Sequence, residues 1–262
     1  MSCSKFYTPE AWIERTIRIL VIGAGGTGGE VLDALDYAHS ALIRLGHPGG
    51  LAVTVMDADT VSAANIGRQR FNQLDIGHSK AVLLTHRHNI WRGLQWRALP
   101  RAWTPEDHNL LRQIDLLITC VDKASVRIEI ARAGHHCRDA LWMDFGNGAN
   151  RGQCVLGHLG AICDAPLRLP HVFDLFPELS SVDDTAAPSC SLEEALRQQD
   201  LFVNRSLANT GMAILWNLWR HGETDTHGAY VEVNKCITSP IRVDPLVWAS
   251  LGYQPKNDKQ ST

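Results

Sequence analysis

The sequence predicts an α/β fold: a doubly wound, mainly parallel sheet with helices on both faces, continued by a C-terminal part with additional strands and a crossover loop. Three observations carry this reading. Short apolar runs alternate with stretches of helical periodicity through the first ~150 residues, the pattern of a parallel sheet wrapped by helices. A glycine-rich turn, "GAGGTG" at 23–28, joins the first apolar run to the first periodic stretch. The alternation then breaks: residues 161–190 hold four prolines and several Asp and Ser, an irregular crossing too long to be an ordinary connection.

The elements follow in order. "IRILVI", 17–22, is the first strand, and from Thr27 to Leu45 the apolar residues Val31, Leu32, Leu35, Leu42 and Leu45 recur at helical spacing until "GHPGG" ends the helix. "LAVTVM", 51–56, is the second strand; 79–91 reads as a helix; "LQWRAL", 94–99, alternates as a third strand. "DLLITCV", 115–121, is a strand, 124–137 a helix, and "ALWMDF", 140–145, a further strand. "GQCVLGHLG", 152–160, adds a strand. "SLEEALRQQ", 191–199, opens a helix on a capping box, Ser191 with Glu194. Residues 204–222 form a strongly apolar helix, and 229–243 one or two strands. The chain, 1–262, reads as one domain: a nucleotide-binding half at 15–150, a crossover half at 151–250, and a disordered tail at 251–262.

Composition bounds the function. Hydrophobic residues make up 45% and charged residues 20%, ordinary for a globular protein, and the net charge of −3 argues against a general binder of nucleic acid or of anionic membranes. No apolar run reaches the roughly 18 residues of a membrane span. The first residues lack the apolar core of a signal peptide, so a cytoplasmic protein is expected. Seven scattered cysteines with no CxxC predict reduced thiols and no zinc site.

The glycines Gly23, Gly25, Gly26 and Gly28 let backbone approach a phosphate, and the helix that follows offers free N–H groups to the anion. No Gly-Lys-Ser/Thr follows, so this is not a Walker A loop. Asp57 ends the second strand, where an acid accepts hydrogen bonds from ribose hydroxyls. These features fit NAD and ATP equally. The next stretch, "DADTVSAANIGRQRFNQLDIGHSKA" at 57–81, adds Asn65, Arg68, Gln69 and Lys80. Two cations and amides delivered just after a ribose acid suit a triphosphate, whose transfer chemistry needs charge neutralised on the departing phosphates.

The ordered motifs "GAGGTG", "DADTVSAANIGRQ", "DIGHSKA" and "CVDKASVR" resemble those of the ThiF/MoeB/HesA superfamily, the ubiquitin-activating-enzyme-like adenylyltransferases. The resemblance covers about 15–150 with specific motifs and continues more weakly to about 222; the second half is similar to the ThiF-family branch of PRTRC cassettes. It implies a Rossmann-like ATP-binding half, with ATP and Mg2+ as cofactors. It implies adenylation of the C-terminal glycine carboxylate of a small ubiquitin-like or sulfur-carrier protein, with release of pyrophosphate. It also implies a homodimer. By the same resemblance Gly23 to Gly28 approach the nucleotide, Asp57 holds the ribose, Asn65, Arg68 and Lys80 contact phosphates, and Gln69 supports those contacts. Asp122 orients magnesium or the α-phosphate region, and Arg127 completes that landmark.

The chain departs from the family in two places. It lacks the N-terminal R-Y-x-R-Q element whose arginine reaches a partner's phosphates, leaving Arg15 as a stand-in and Arg18, inside the first strand, as a poorer one. It also lacks the family's zinc-binding CxxC pairs. Some relatives pass the adenylated carrier to a cysteine on the crossover. Cys190, just ahead of a predicted helix N-terminus, is the candidate nucleophile, with an inert or capping thiol as the alternative and Cys163 as the second choice. Asp144, at the end of a strand, lies on the edge where ligands bind and is expected to face the carrier's tail. Two other functions stand against the adenylyltransferase: an NAD-dependent oxidoreductase, for which no hydride-transfer constellation is present, and a non-catalytic ThiF-like nucleotide-binding module, which has no need of Asp57, Arg68, Lys80 and Asp122 together.

Overall fold

A computed structural model describes residues 4–181 and 199–253. The chain enters through β1 (Phe6–Tyr7) and a short helix α1 (Glu10–Glu14), then forms β2 (Ile17–Ile22), α2 (Gly26–Arg44) and β3 (Leu51–Met56). Helix α3 (Lys80–Arg92) and β4 (Arg97–Leu99) follow, then α4 (His108–Leu111), β5 (Leu116–Thr119) and α5 (Ala124–Gly134). Strands β6 (Leu141–Asn147) and β7 (Arg151–His158) form a hairpin. After α6 (Val172–Leu175), the long helix α7 (Val203–His221) leads into β8 (Glu223–Thr224), β9 (Thr226–Glu232), β10 (Ile237–Arg242) and α8 (Pro245–Ser250).

One eight-stranded sheet organises the fold, in the order β10-β9-β7-β6-β5-β2-β3-β4. The stretch from β6 to β4 is parallel and the pairings from β6 outward to β10 are antiparallel. Central strands covered on both faces read as unbroken apolar runs, and β2 and β5 do so: Ile19, Leu20, Val21, Leu116, Leu117 and Ile118 are all buried. Helix α2 turns Val31, Leu32, Leu35 and Leu42 inward and packs against α7, whose Leu207, Met212, Leu215 and Leu218 face the same core. A separate two-stranded sheet pairs Phe6 with Thr224 and Tyr7 with Glu223, pinning the chain's start to the end of α7.

The expected elements stand within a few residues of their predicted bounds. The strand expected at 94–99 shrinks to three residues because Trp96 is diverted: its N–H donates to Asn89 Oδ1 at 2.9 Å, and its carbonyl accepts from Asn89 Nδ2 at 2.9 Å. The strand expected at 140–145 runs on to Asn147 because the hairpin with β7 pairs its last residues. Part of the irregular crossing is ordered: the His171 ring caps α6 by accepting from the N–H groups of Phe173 and Asp174. The first residues of the expected tail are packed, Tyr253 N–H donating to the Trp248 carbonyl and its hydroxyl meeting Arg168 at 3.1 Å. The capping box at 191–194 and the rest of the tail lie outside the described residues.

From β2 the chain moves outward through β3 to β4, then returns to place β5 on the other side of β2. The sheet's order therefore reverses between β2 and β5, and in open α/β sheets ligands bind at such a reversal, beyond the carboxyl ends of the strands.

Candidate nucleotide-binding site

The glycine turn lies at that reversal, and its glycines divide the work. Gly23 has φ +97° and runs so close to the end of β5 that a Cβ would stand 2.5 Å from the Cys120 carbonyl oxygen. A Cβ on Gly28 would stand 2.0 Å from the Gly23 carbonyl oxygen, and one on Gly26 2.3 Å from Asn204 Nδ2. These three let backbone pack on backbone and side chain. At Gly25 alone of the four would a Cβ meet no clash, its nearest atom being Gln69 Nε2 at 4.0 Å. Gly25 is also the N-cap of α2, so no side chain satisfies the helix's first N–H groups. Packing thus accounts for glycine at 23, 26 and 28, while at 25 no such clash demands it.

Asp57 follows β3 and faces this turn. Its Oδ2 accepts from Ala24 N–H at 2.5 Å and its Oδ1 from Asp59 N–H at 2.7 Å. Burial pushes its pKa up, and those two N–H groups pull the other way without prevailing. Each oxygen retains a lone pair for a ligand hydroxyl.

The loop from 57 to 80 folds back on itself. Thr60 bridges Ser79, Val61 N–H donates to the His78 carbonyl, and Gly77 N–H donates to the Val61 carbonyl. Ser79 caps α3, placing Lys80 on its first residue. Lys80 is buried, and its ammonium meets the exposed Asp59 carboxylate at 2.8 Å. Asn65 is buried and partly committed to the loop: its Oδ1 accepts from Ser62 N–H at 2.9 Å, closing the turn that presents Arg68. Arg68 is half-buried. Its Nε donates to the Ala64 carbonyl at 3.1 Å, and among the described residues no carboxylate pairs with its guanidinium. Burial lowers its pKa, against the supporting charge of Asp122. Gln69 keeps a buried Oε1 without a hydrogen-bond partner. Arg68 thus brings a partly desolvated positive charge with no paired carboxylate among the described residues, the kind of group that an anionic ligand would neutralise, while the Gln69 oxygen is an acceptor that calls for a donor.

Asp122 is exposed beyond the end of β5, within electrostatic reach of both Arg68 and Arg127. The predicted residues Gly25, Asp57, Arg68, Gln69, Lys80 and Asp122 therefore gather at one edge of the sheet. Among the described residues no group of three or more His, Cys, Asp and Glu side chains converges on a metal position.

Several expectations are corrected. Asp144 does end near the strand edge but is buried, its Oδ1 accepting from Thr119 Oγ1 and from Arg127 Nε at 2.8 Å, while Arg127 Nη2 holds the Phe145 carbonyl. It ties α5 to β6 and has no free face for a carrier. Arg15 and Arg18 lie at the opposite edge, where both bind Asp115 through paired contacts of 2.8 to 3.1 Å and hold its pKa down to about 2. Neither reaches the glycine turn of its own chain; the contact expected of Arg15 is with a partner's phosphates. Burial pushes the Cys163 thiol up in pKa, and its Sγ lies 3.7 Å from the Ala165 carbonyl oxygen. Cys190 lies outside the described residues.

Sequence reasoning missed one part of the site. Thr27, Asn147 and Asn204 form a polar cluster directly on the glycine turn, from three segments with no common motif. Only the odd placement of Asn204 at the start of an apolar helix signals it.

Known proteins share parts of this sequence and its fold. Cap2 of Enterobacter hormaechei subsp. hoffmannii (strain UCI 50), an ATP-dependent ubiquitin transferase-like protein, is 29% identical over 121 residues, which are 45% of this chain and 18% of Cap2. Ubiquitin-activating enzyme E1 2 of Arabidopsis thaliana is 25% identical over 183 residues, 67% of this chain and 15% of that enzyme. The chain thus spans less than a fifth of either relative's length. The solved structure of PaaA superposes over 87% of this chain and 64% of its own, with a TM-score of 0.60 at 12% identity, a likeness of fold alone. A model of the ThiF family matches residues 12–235, and the chain belongs to the ThiF family.

Proposed function

We propose that this protein is an ATP-dependent adenylyltransferase that activates the C-terminal carboxylate of a small ubiquitin-like or sulfur-carrier protein. In the reaction a carboxylate oxygen of the carrier attacks the α-phosphorus of ATP. The bond from that phosphorus to the bridging oxygen breaks, pyrophosphate leaves with the bonding pair, and an acyl-adenylate remains. The observation that carries the reading is Arg68: a half-buried guanidinium with no carboxylate partner among the described residues, next in the chain to Gln69, whose side chain lies against Gly25. The similarity to Cap2, an ATP-dependent ubiquitin transferase-like protein, and to the Arabidopsis ubiquitin-activating enzyme supports the substrate class.

The roles follow from chemistry. A carboxylate is a weak nucleophile and a triphosphate repels it, so the protein must position the two and neutralise charge. Asp57 accepts from the ribose hydroxyls. The first-turn N–H groups of α2 and Arg68 meet phosphate oxygens. Lys80 exchanges the exposed Asp59 for phosphate, a trade that the buried stem of Lys80 makes short. Magnesium commonly binds through one or two carboxylates together with substrate phosphates, and Asp122 is the carboxylate available to hold it. When bound, the metal supplies charge neutralisation on the leaving pyrophosphate. A homodimer in the cytoplasm, and onward transfer to Cys190 as a thioester, belong to the same proposal.

The test is carrier-dependent exchange of labelled pyrophosphate into ATP, using small β-grasp proteins that end in glycine. Exchange that requires the carrier and falls at least about a hundredfold in Asp122→Ala is expected. No exchange with any such carrier, from a protein that binds ATP, would replace this function with a non-catalytic nucleotide-binding module.

A further inference from the structure

We propose that Asn204 is a positioning residue for the phosphate-facing turn, acting through Thr27. The inference rests on the nucleotide reading of the turn and extends it to a residue on α7.

Glycine turns approach ligands closely because they lack side chains, and for the same reason nothing of their own fixes their conformation. Gly25 and Gly26 open α2 without a capping side chain, so the direction of the helix's first N–H groups must be set from outside. Asn204 does this from the first turn of α7. It is 6% exposed, and Gly26 lies so close beneath it that any side chain there would collide with Nδ2. Its Oδ1 accepts from Thr27 Oγ1 at 3.0 Å and from Asn147 Nδ2 at 2.6 Å, and its Nδ2 donates to Gln199 Oε1 at 3.0 Å. Asn147 Nδ2 also reaches Thr27 Oγ1 at 3.3 Å.

One amide therefore fastens three segments: the glycine turn, the β6–β7 hairpin and the residues leading into α7. Its helical neighbours Val203, Leu207 and Ala208 are apolar and fully buried, so a residue serving packing alone would be apolar too. A buried amide hydrogen-bonded through both its oxygen and its nitrogen defines orientation, which an apolar side chain cannot do. The N–H groups so oriented are those that meet phosphates, whereas ribose is held separately by Asp57. Loss of the clamp should therefore weaken binding of the triphosphate and spare the nucleoside.

The experiment measures ATP and adenosine affinities by calorimetric titration for the wild type, Asn204→Ala and Thr27→Val. Thr27→Val removes one hydroxyl at nearly constant volume and keeps the test valid if Asn204→Ala does not fold. Each variant is expected to lose ATP affinity on the order of tenfold, with adenosine affinity unchanged. The double variant should be no weaker than Asn204→Ala alone, because Thr27 acts through a contact that Asn204→Ala already breaks. Equal losses for ATP and adenosine, or a lower melting temperature with an unchanged affinity ratio, would show a merely structural role and overturn the proposal. A wild type that fails to bind ATP would instead overturn the nucleotide reading, and the positioning role with it.

Discussion

Arg68 and His227 are both partly or wholly removed from water, and they resolve the cost in opposite ways. Arg68 keeps its charge without a carboxylate among the described residues, which makes sense for a group whose partner arrives with the ligand. His227 gives up its charge. Fully buried, it donates from Nδ1 to the Leu156 carbonyl at 2.8 Å and accepts at Nε2 from Trp248 Nε1 at 2.7 Å, a set of bonds available to one neutral tautomer only. Its pKa is pushed down to about 4 from 6.5, as is that of His158, whose Nδ1 accepts from Leu169 N–H. Above pH 6.5 both folded and unfolded states are neutral at these sites. Below it the unfolded chain takes up protons that the native state refuses, so stability falls between about pH 6.5 and 4. Each histidine contributes on the order of 3 kcal/mol to that fall when complete. Asp115, held at about 2 against 3.8, adds a loss only at lower pH. Urea denaturation at pH 7.5 and 4.5 should show the difference, and His227→Gln should remove about half of it. A variant with the wild-type pH dependence would contradict the assignment.

At the scale of elements, what was legible in the sequence depended on what forms each element. Strands β2, β3, β5 and β6 are written as buried apolar runs, and α2 and α7 as long periodic stripes, so composition alone locates them. Helices α1, α6 and α8 are too short to carry a period. They exist because Trp12 and Trp248 are buried by the rest of the fold and because His171 caps α6, contacts the linear sequence does not display. The α5–β6 junction is held by Arg127 and Asp144, 11% and 2% exposed, with Thr119 and Trp142 completing the network. The Arg127 of the family landmark is thus a tie between elements at the edge of the site. Arg127→Ala should destabilise the protein by about 3–5 kcal/mol by leaving Asp144 buried and unpaired. The pair replacement Arg127→Met with Asp144→Asn should recover most of that loss. Chemical denaturation of the three variants measures both, and a mild effect of Arg127→Ala would mean that Asp144 is hydrated in solution.

Over the whole molecule, the legible part of the site is the part that lies in one ordered run. Asp57, Arg68, Gln69 and Lys80 come from a single loop, folded back by the Thr60–Ser79 bridge, and their order in the chain is enough to mark them. The Thr27–Asn147–Asn204 cluster is assembled across up to 177 residues by the packing of α7 on α2, and nothing local announces it. Arg15 shows the complementary case: it is near β2 in sequence, but a strand has two ends, and Asp115 holds Arg15 at the one away from its own chain's glycine turn. The central claim is that this sheet edge holds ATP through the cations of the 57–80 loop. The measurement that tests it most directly is calorimetric titration of the protein with ATP and with NAD+, for the wild type and Arg68→Met. The expected result is saturable binding of ATP, no comparable binding of NAD+, and a loss of ATP affinity of about ten- to a hundredfold in Arg68→Met with its melting temperature undiminished. Tight NAD+ binding, or ATP binding indifferent to Arg68, would contradict the account.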